Sequence, residues 1–182
     1  MLQIFVNGLE FYDEDAEEFH TVKPQKIVLE HSLISLSKWE AKWKKPFLYG
    51  DRTSEEMLDY IKCMTLTPNV DPSVYLSLTM DQLKTIGEYI DDDRTATTFS
   101  KNMQPKAASK NRTITSELIY FWMVSQNIPV DCEKWHLNRL LTLIRIASIE
   151  NDPKRNKMSR RDIYNQNSAL NAARRAKYHT KG

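Results

Sequence analysis

The chain lacks the short motifs that mark the common classes of enzyme. Only four of its 182 residues are glycine, and the patterns GxxxxGK, GxGxxG, GxSxG and HExxH do not occur. The four histidines are scattered without the spacing of metal ligands, and the acidic runs DEDAEE and DDD do not match a calcium-binding loop. The sequence therefore predicts a non-catalytic protein without a metal or a cofactor.

Cysteines and long hydrophobic runs are also scarce. Cys63 and Cys132 lie far apart and form no CxxC pair, which is typical of buried thiols in a reducing compartment. The apolar runs LIYFWMV and LLTLIRI are too short to cross a bilayer. The first residues lack the basic region of a secretory signal. We therefore expect a protein that is neither exported nor inserted into a membrane.

Charge is abundant but unevenly distributed. Residues Pro153–Gly182 contain nine Lys and Arg and one acid, Asp162, whereas the rest of the chain has 17 basic and 23 acidic side chains. A basic segment of this kind usually contacts nucleic acid, a membrane surface or an acidic partner. The sequence thus indicates a binding protein with a basic arm.

The hydrophobic pattern predicts an α+β fold that is mostly α-helical. Residues 1–152 are expected to form one domain, and residues 153–182 a basic helical tail. Within the domain, residues 1–33 read as strands of a small antiparallel sheet, three in number with EFHTV in the middle. Residues 34–152 are expected to form a helical body interrupted by a loop at 91–112.

Start and stop signals place the helices of this body. Leucines and tryptophans recur at helical spacing from Leu33 until Pro46 ends the helix. Capping-box patterns at Thr53–Glu56 and Thr79–Gln82 predict two further helix starts. The last helix of the body is predicted to begin after Asp131, a natural N-cap.

A helix predicted at about 115–126 contains LIYFWMV and is apolar nearly all round. Such a helix usually lies at the centre of a domain. Alternatively, one side forms a groove that holds amphipathic segments of a partner, because methionine and aromatic side chains adapt to varied apolar surfaces. The residues that would line this groove are Tyr120, Phe121, Trp122 and Met123.

Basic and aromatic residues alternate in the segment KWEAKWKKPF, which contains Trp39 and Trp43. One interpretation of this segment is a groove for single-stranded nucleic acid, in which bases stack on aromatic rings while lysines contact phosphates. However, the two tryptophans are four residues apart and share a helix face with Leu36. We favour a packing or partner-facing role for them, with the lysines in solvent.

Five blocks of the sequence are distinctive: LEHSLISLSKWEAKWKKPFL, EEMLDYIKCMTLTP, TSELIYFWMVSQNIP, WHLNRLLTLIRI and KMSRRDIYNQNSALNAARRAKYHTKG. They lie between Leu29 and Gly182. Together they resemble the tail assembly chaperones of long-tailed bacteriophages, which are encoded between the major tail protein and the tape-measure protein.

The resemblance implies a non-catalytic protein of the host cytoplasm that is absent from the mature virion. Members of this family are thought to bind the long helical tape-measure protein and keep its apolar faces from aggregating. They give way as tail-tube subunits polymerise around it, so the tail tube protein and other chaperone copies are further expected partners.

The resemblance names no binding residues, so we assign partner contacts from side-chain chemistry alone. Apolar anchors are expected at Trp39, Trp43, Tyr120, Phe121, Trp122 and Met123. Contacts to acidic partner segments are expected at Arg160, Arg161, Arg174, Arg175 and Lys177.

Two other classes remain open. One is a nucleic-acid-binding protein whose basic tail contacts phosphates, although the net acidic body disfavours it. The other is a permanent structural component of the virion tail. Nucleic-acid binding should weaken steeply with salt, whereas binding to apolar helices should not.

Overall fold

The computed structural model describes residues 1–13, 17–97 and 113–151, together with Tyr164 and Ser168. The described residues have an α+β fold that is mostly α-helical, as the sequence predicts. None of the helices found within these residues is long and apolar enough to cross a membrane.

The chain divides into two compact units, Met1–Arg145 and Ile146–Gly182. The first contains every strand and most of the helical residues that the structure describes. Of the second, the structure describes the end of the last helix (146–150), the turn residue Asn151 and the two isolated residues named above, both of which are helical.

The described N-terminal residues form four strands: β1 (Leu2–Val6), β2 (Leu9–Asp13), β3 (Glu18–Val22) and β4 (Gln25–Leu29). They make two antiparallel two-stranded sheets, in which β1 pairs with β4 and β2 pairs with β3. The prediction of one three-stranded sheet with EFHTV in its middle was therefore wrong. The segment Leu9–Asp13 is an additional strand, β2, and EFHTV pairs with it as β3.

Burial explains why β1 pairs with β4 directly. Ile4 and Val6 alternate with exposed residues on β1, and on β4 the buried Ile27 and Leu29 alternate with less buried residues. Ile4 lies opposite Ile27 in the register. Each strand thus buries one face in the core, as the period of two requires.

Six α-helices follow in the described residues: α1 (Leu33–Trp43), α2 (Ser54–Met64), α3 (Pro72–Leu76), α4 (Met80–Asp91), α5 (Ser116–Ser125) and α6 (Leu137–Glu150), with a 3₁₀ helix (Val130–Lys134) before α6. The predicted capping boxes at Thr53 and Thr79 are confirmed, since each threonine exchanges hydrogen bonds with the third residue of its helix. Helix α1 ends before Pro46, where Lys44 adopts a left-handed conformation.

The predicted start of the last helix was wrong. Asp131 lies inside the 3₁₀ helix, and α6 begins later, at Leu137. The backbone N–H of Leu137 donates to the carbonyl of His31 over 2.7 Å. A long-range contact therefore sets this helix start, which no local signal could predict. The predicted loop at 91–112 is described only to residue 97, and residues 92–97 form neither helix nor strand.

Helix α1 lies at the centre of the helical body and contacts α2, α5 and the 3₁₀ helix. Its Leu33, Leu36 and Trp39 are fully buried. The backbone of Glu30, just after β4, donates to the carbonyl of Met64 at the end of α2. These contacts bind the β1–β4 sheet to the helices in a single core.

Candidate functional site

Helix α5 exposes a large part of its apolar surface. Ser116, Ile119 and Met123 are buried on one side. Away from that side, the residues Phe121 and Val124 are 63% and 71% exposed. Because these two residues are three apart, they are neighbours on the helix surface. Large apolar side chains that form a contiguous exposed patch indicate a binding surface, whereas a single exposed one does not.

Two half-buried residues extend this exposed patch. Leu118 lies three residues before Phe121, and Trp122 lies four residues after Leu118. We call the surface formed by Leu118, Phe121, Trp122 and Val124 the α5 face. It runs along the helix and is flanked by the exposed carboxylate of Glu117.

A buried carboxylate anchors the start of α5. Glu40 is only 7% exposed, and its Oε2 accepts the backbone N–H of Ser116 over 2.7 Å. Its Oε1 accepts the backbone N–H of Phe47 over 2.9 Å. A carboxylate at a helix N-terminus is favoured by the helix dipole. Glu40 thus ties α5 to α1 and to the segment that follows α1.

A second contact fixes the rotation of α5 about its axis. The Tyr120 hydroxyl donates to Glu133 Oε2 over 2.8 Å. Burial, together with this hydrogen bond, raises the pKa of Tyr120 to about 12, so the hydroxyl keeps its proton at neutral pH. The contacts at Glu40 and Glu133 together hold Phe121 outward.

The structure distributes the four predicted groove residues around α5. Phe121 and Trp122 belong to the α5 face, Tyr120 is half-buried against Glu133, and Met123 is only 2% exposed, in the core. Four consecutive helical residues point in different directions, so they cannot line one groove. Sequence reasoning missed Leu118 and Val124, although their spacing of three from Phe121 was the available signal.

Trp39 and Trp43 pack between α1 and α2. Trp39 is fully buried, and its indole N–H donates to the carbonyl of Glu56 over 2.9 Å. Trp43 is half-buried, and its indole N–H donates to Asp59 Oδ2 over 2.9 Å. The packing interpretation is confirmed for Trp39, while the partly exposed ring of Trp43 remains accessible.

Two of the four lysines in this segment form ion pairs within the chain. Lys42 forms an ion pair with Asp59, and Lys45 forms one with Glu56. Burial alone would raise the pKa of Asp59, but hydrogen bonds from Lys42 and Trp43 outweigh it and lower that pKa. These pairings compete with phosphate contacts, which disfavours the stacking-groove interpretation of this segment.

A second apolar surface lies between α2 and α4. A cavity of about 300 Å³ is lined by Met57, Leu58 and Ile61 of α2 and by Leu83, Ile86 and Gly87 of α4, with Arg52 and Ser54 at its edge. A Cβ atom added to Gly87 would have no heavy atom within 4 Å. The cavity is therefore open beside this glycine and can admit an apolar side chain.

The predicted basic contacts Arg160, Arg161, Arg174, Arg175 and Lys177 lie outside the described residues. Within the part of the chain that the structure describes, no group of three or more His, Cys, Asp and Glu side chains converges as a metal site requires. Comparisons of the chain with protein-family models, with curated proteins and with solved structures found no match.

Proposed function

We propose that the chain is a non-catalytic tail assembly chaperone whose α5 face binds apolar helix surfaces of a tape-measure protein. The observation that carries this proposal is the exposure of Phe121 and Val124 on a helix whose other side is buried. The resemblance of the sequence to phage tail assembly chaperones supplies the identity of the partner.

The geometry of the α5 face suits reversible binding. Burying one large apolar side chain stabilises a complex by about 1.5–3 kcal/mol, and the α5 face offers two such exposed side chains with two half-buried neighbours. An amphipathic partner helix presents apolar residues at spacings of three and four, which match the spacing on α5. Binding through so few anchors can be released when tail-tube subunits enclose the partner.

The basic residues after Pro153 serve in this proposal as a steering arm. Long-range attraction to acidic partner segments speeds the encounter more than it tightens the complex, and salt screens it. The protein acts in the host cytoplasm and leaves before the virion is complete, with the tail tube protein and other copies of the chain as further partners.

Co-expression with the tape-measure protein tests the proposal. We expect the full chain to keep that protein soluble and to co-purify with it, in a complex that survives high salt. The chain should be missing from purified virions. A tape-measure protein that aggregates equally with and without the chain would contradict the proposal. Binding to nucleic acid alone, lost steeply with salt, would favour the nucleic-acid class instead.

A further inference from the structure

The cavity between α2 and α4, which we call the α2–α4 cavity, is an apolar site separate from the α5 face. Helix α2 packs on α1 and α3, whereas α4 packs on β1, so a gap stays open between α2 and α4. Ile61 and Ile86, each 1% exposed, form the floor of this gap. Met57, Leu58 and Leu83 also line it and are half-buried, so they keep accessible surface. A group from outside the chain can therefore reach apolar atoms in the cavity.

The edge of the cavity carries a positive charge. Among the residues that the structure describes there, Arg52 is the charged one. Its guanidinium lies 4.4 Å from the centre of the Phe47 ring and donates to the carbonyl oxygen of Phe47. Stacking on a ring orients the guanidinium and leaves its other donors available. Arg52 forms no ion pair with a carboxylate of the described residues. The cavity thus favours an apolar group that has a carboxylate beside it.

Helix α5 presents this combination of groups. Phe121 is 63% exposed, and the exposed Glu117 precedes it by four residues, so the two side chains are neighbours on the helix surface. A hydrogen bond from its own backbone N–H lowers the pKa of Glu117, so its carboxylate is charged at neutral pH. Glu117 forms no ion pair within the described residues. The α5 face and the α2–α4 cavity are therefore complementary in both polarity and charge.

The cavity is also large enough for a phenylalanine ring. A cavity of about 150 Å³ can hold benzene, and the α2–α4 cavity has a volume of about 300 Å³. Within one chain, Phe121 remains exposed and α5 contributes no residue to the described cavity wall. The contacts at Glu40 and Glu133 hold α5 in place, so the ring of the same chain does not fill the cavity. A second copy of the chain is the occupant that matches.

We propose that the α2–α4 cavity of one copy receives Phe121 of a second copy, while Glu117 of that second copy pairs with Arg52. The contact joins two different surfaces, so a pair of copies keeps one free cavity and one free α5 face. The α5 face cannot hold a second copy and a tape-measure helix at the same time. Self-association therefore shields the α5 face until a partner helix displaces the second copy, a consequence that rests on the proposed function.

Sedimentation velocity of the full chain, from micromolar to millimolar concentration, tests the contact. We expect the wild type to self-associate reversibly. Phe121→Ser removes the inserted ring and Gly87→Leu fills the cavity from α4, so each should raise the self-association Kd about tenfold or more. Gly87→Leu should fold, because leucine favours a helix and its Cβ meets open space. Met80→Ser, on α4 outside the cavity wall, is the control and should leave this Kd within about twofold.

Mixtures of variants test which surfaces meet. Phe121→Ser keeps an intact cavity and Gly87→Leu keeps an intact α5 face, so an equimolar mixture should form a one-to-one complex that grows no further. Charge reversal tests the ion pair across the contact. Arg52→Glu and Glu117→Arg should each weaken self-association, because like charges then face each other, and their mixture should restore it.

Titration with an amphipathic helix of the tape-measure protein separates this inference from the proposed function. Gly87→Leu should bind that helix at least as tightly as the wild type, because its α5 face is intact and no second copy competes for it. Tape-measure binding by a wild type that stays monomeric, a variant mixture without a complex, or an equal effect of Met80→Ser would overturn the inference. A wild type that self-associates as expected but does not bind the tape-measure helix would contradict the proposed function and the shielding, and would support the contact itself.

Discussion

At the scale of single residues, His31 is the histidine with the largest pKa shift in the described part of the chain. It is 2% exposed, and its Nδ1 is hydrogen-bonded to the hydroxyl oxygen of Tyr60 over 2.6 Å. Its ring centre lies 5.1 Å from that of His136. Burial, followed by the proximity of His136, lowers the pKa of His31 from 6.5 to about 3.

This shift predicts a loss of stability in acid. Folded His31 stays neutral between pH 6.5 and about 3, whereas the unfolded chain takes up a proton there. The free energy of unfolding therefore falls as pH falls, by about 2 kcal/mol between pH 7 and pH 5. Urea unfolding of the wild-type protein at both pH values should show this decrease in the free energy of unfolding. His31→Gln cannot titrate, and an undiminished pH dependence in that variant would contradict the assignment.

Glu40 is the residue that joins α5 to the rest of the core. Both of its carboxylate oxygens accept backbone N–H groups. Glu40→Gln places an amide donor against one of these N–H groups, so we expect the free energy of unfolding to fall by about 1–3 kcal/mol. Glu55→Gln, at an exposed position on α2, should change it by less than about 0.5 kcal/mol. Equal effects of the two changes in chemical denaturation would show that Glu40 is not an anchor.

At the scale of elements, α4 contains a glycine that its helix does not require. Gly87 has no left-handed φ, and a Cβ at this position meets open space. Gly87→Ala should therefore raise the free energy of unfolding by about 0.5–1 kcal/mol, because alanine loses less backbone entropy in a helix. The matched change is Gly50→Ala, which should lower the free energy of unfolding because Gly50 has φ +79, a conformation that alanine disfavours. Thermal unfolding distinguishes the two, and a lower melting temperature for Gly87→Ala would contradict the expectation.

The elements that could be predicted are those with local signals. The capping boxes at Thr53 and Thr79 lie within four residues of sequence, so they were visible without tertiary structure. β2 is acidic and five residues long, and its pairing with β3 is what makes it a strand. The start of α6 depends on His31, which is far away in the chain.

The candidate site was only partly predictable for a related reason. The apolar residues of α5 surround the helix, so their pattern has no period that identifies the inward side. Glu40 and Glu133 decide which side faces the core, and both contacts depend on tertiary structure. Sequence reasoning therefore located the helix and two residues of the α5 face but could not orient it.

At the scale of the whole molecule, an acidic body precedes a strongly basic terminal segment. The body carries 17 basic and 23 acidic side chains, and the segment after Asp152 carries nine basic side chains and one acid. In our account the basic segment steers the encounter with a partner, while the α5 face holds it. Raising the salt concentration should then slow association and leave the dissociation rate nearly unchanged.

The most direct test is the Kd of the full chain for an amphipathic helical segment of the tape-measure protein. Our account predicts that Phe121→Ser raises this Kd about tenfold or more, since it removes one large apolar anchor. The control is Met80→Ser on α4, since Met80 is also a large exposed apolar residue (80% exposed, against 63% for Phe121), and this change should leave the Kd within about twofold. An unchanged Kd in Phe121→Ser, or the same increase in both variants, would contradict the account.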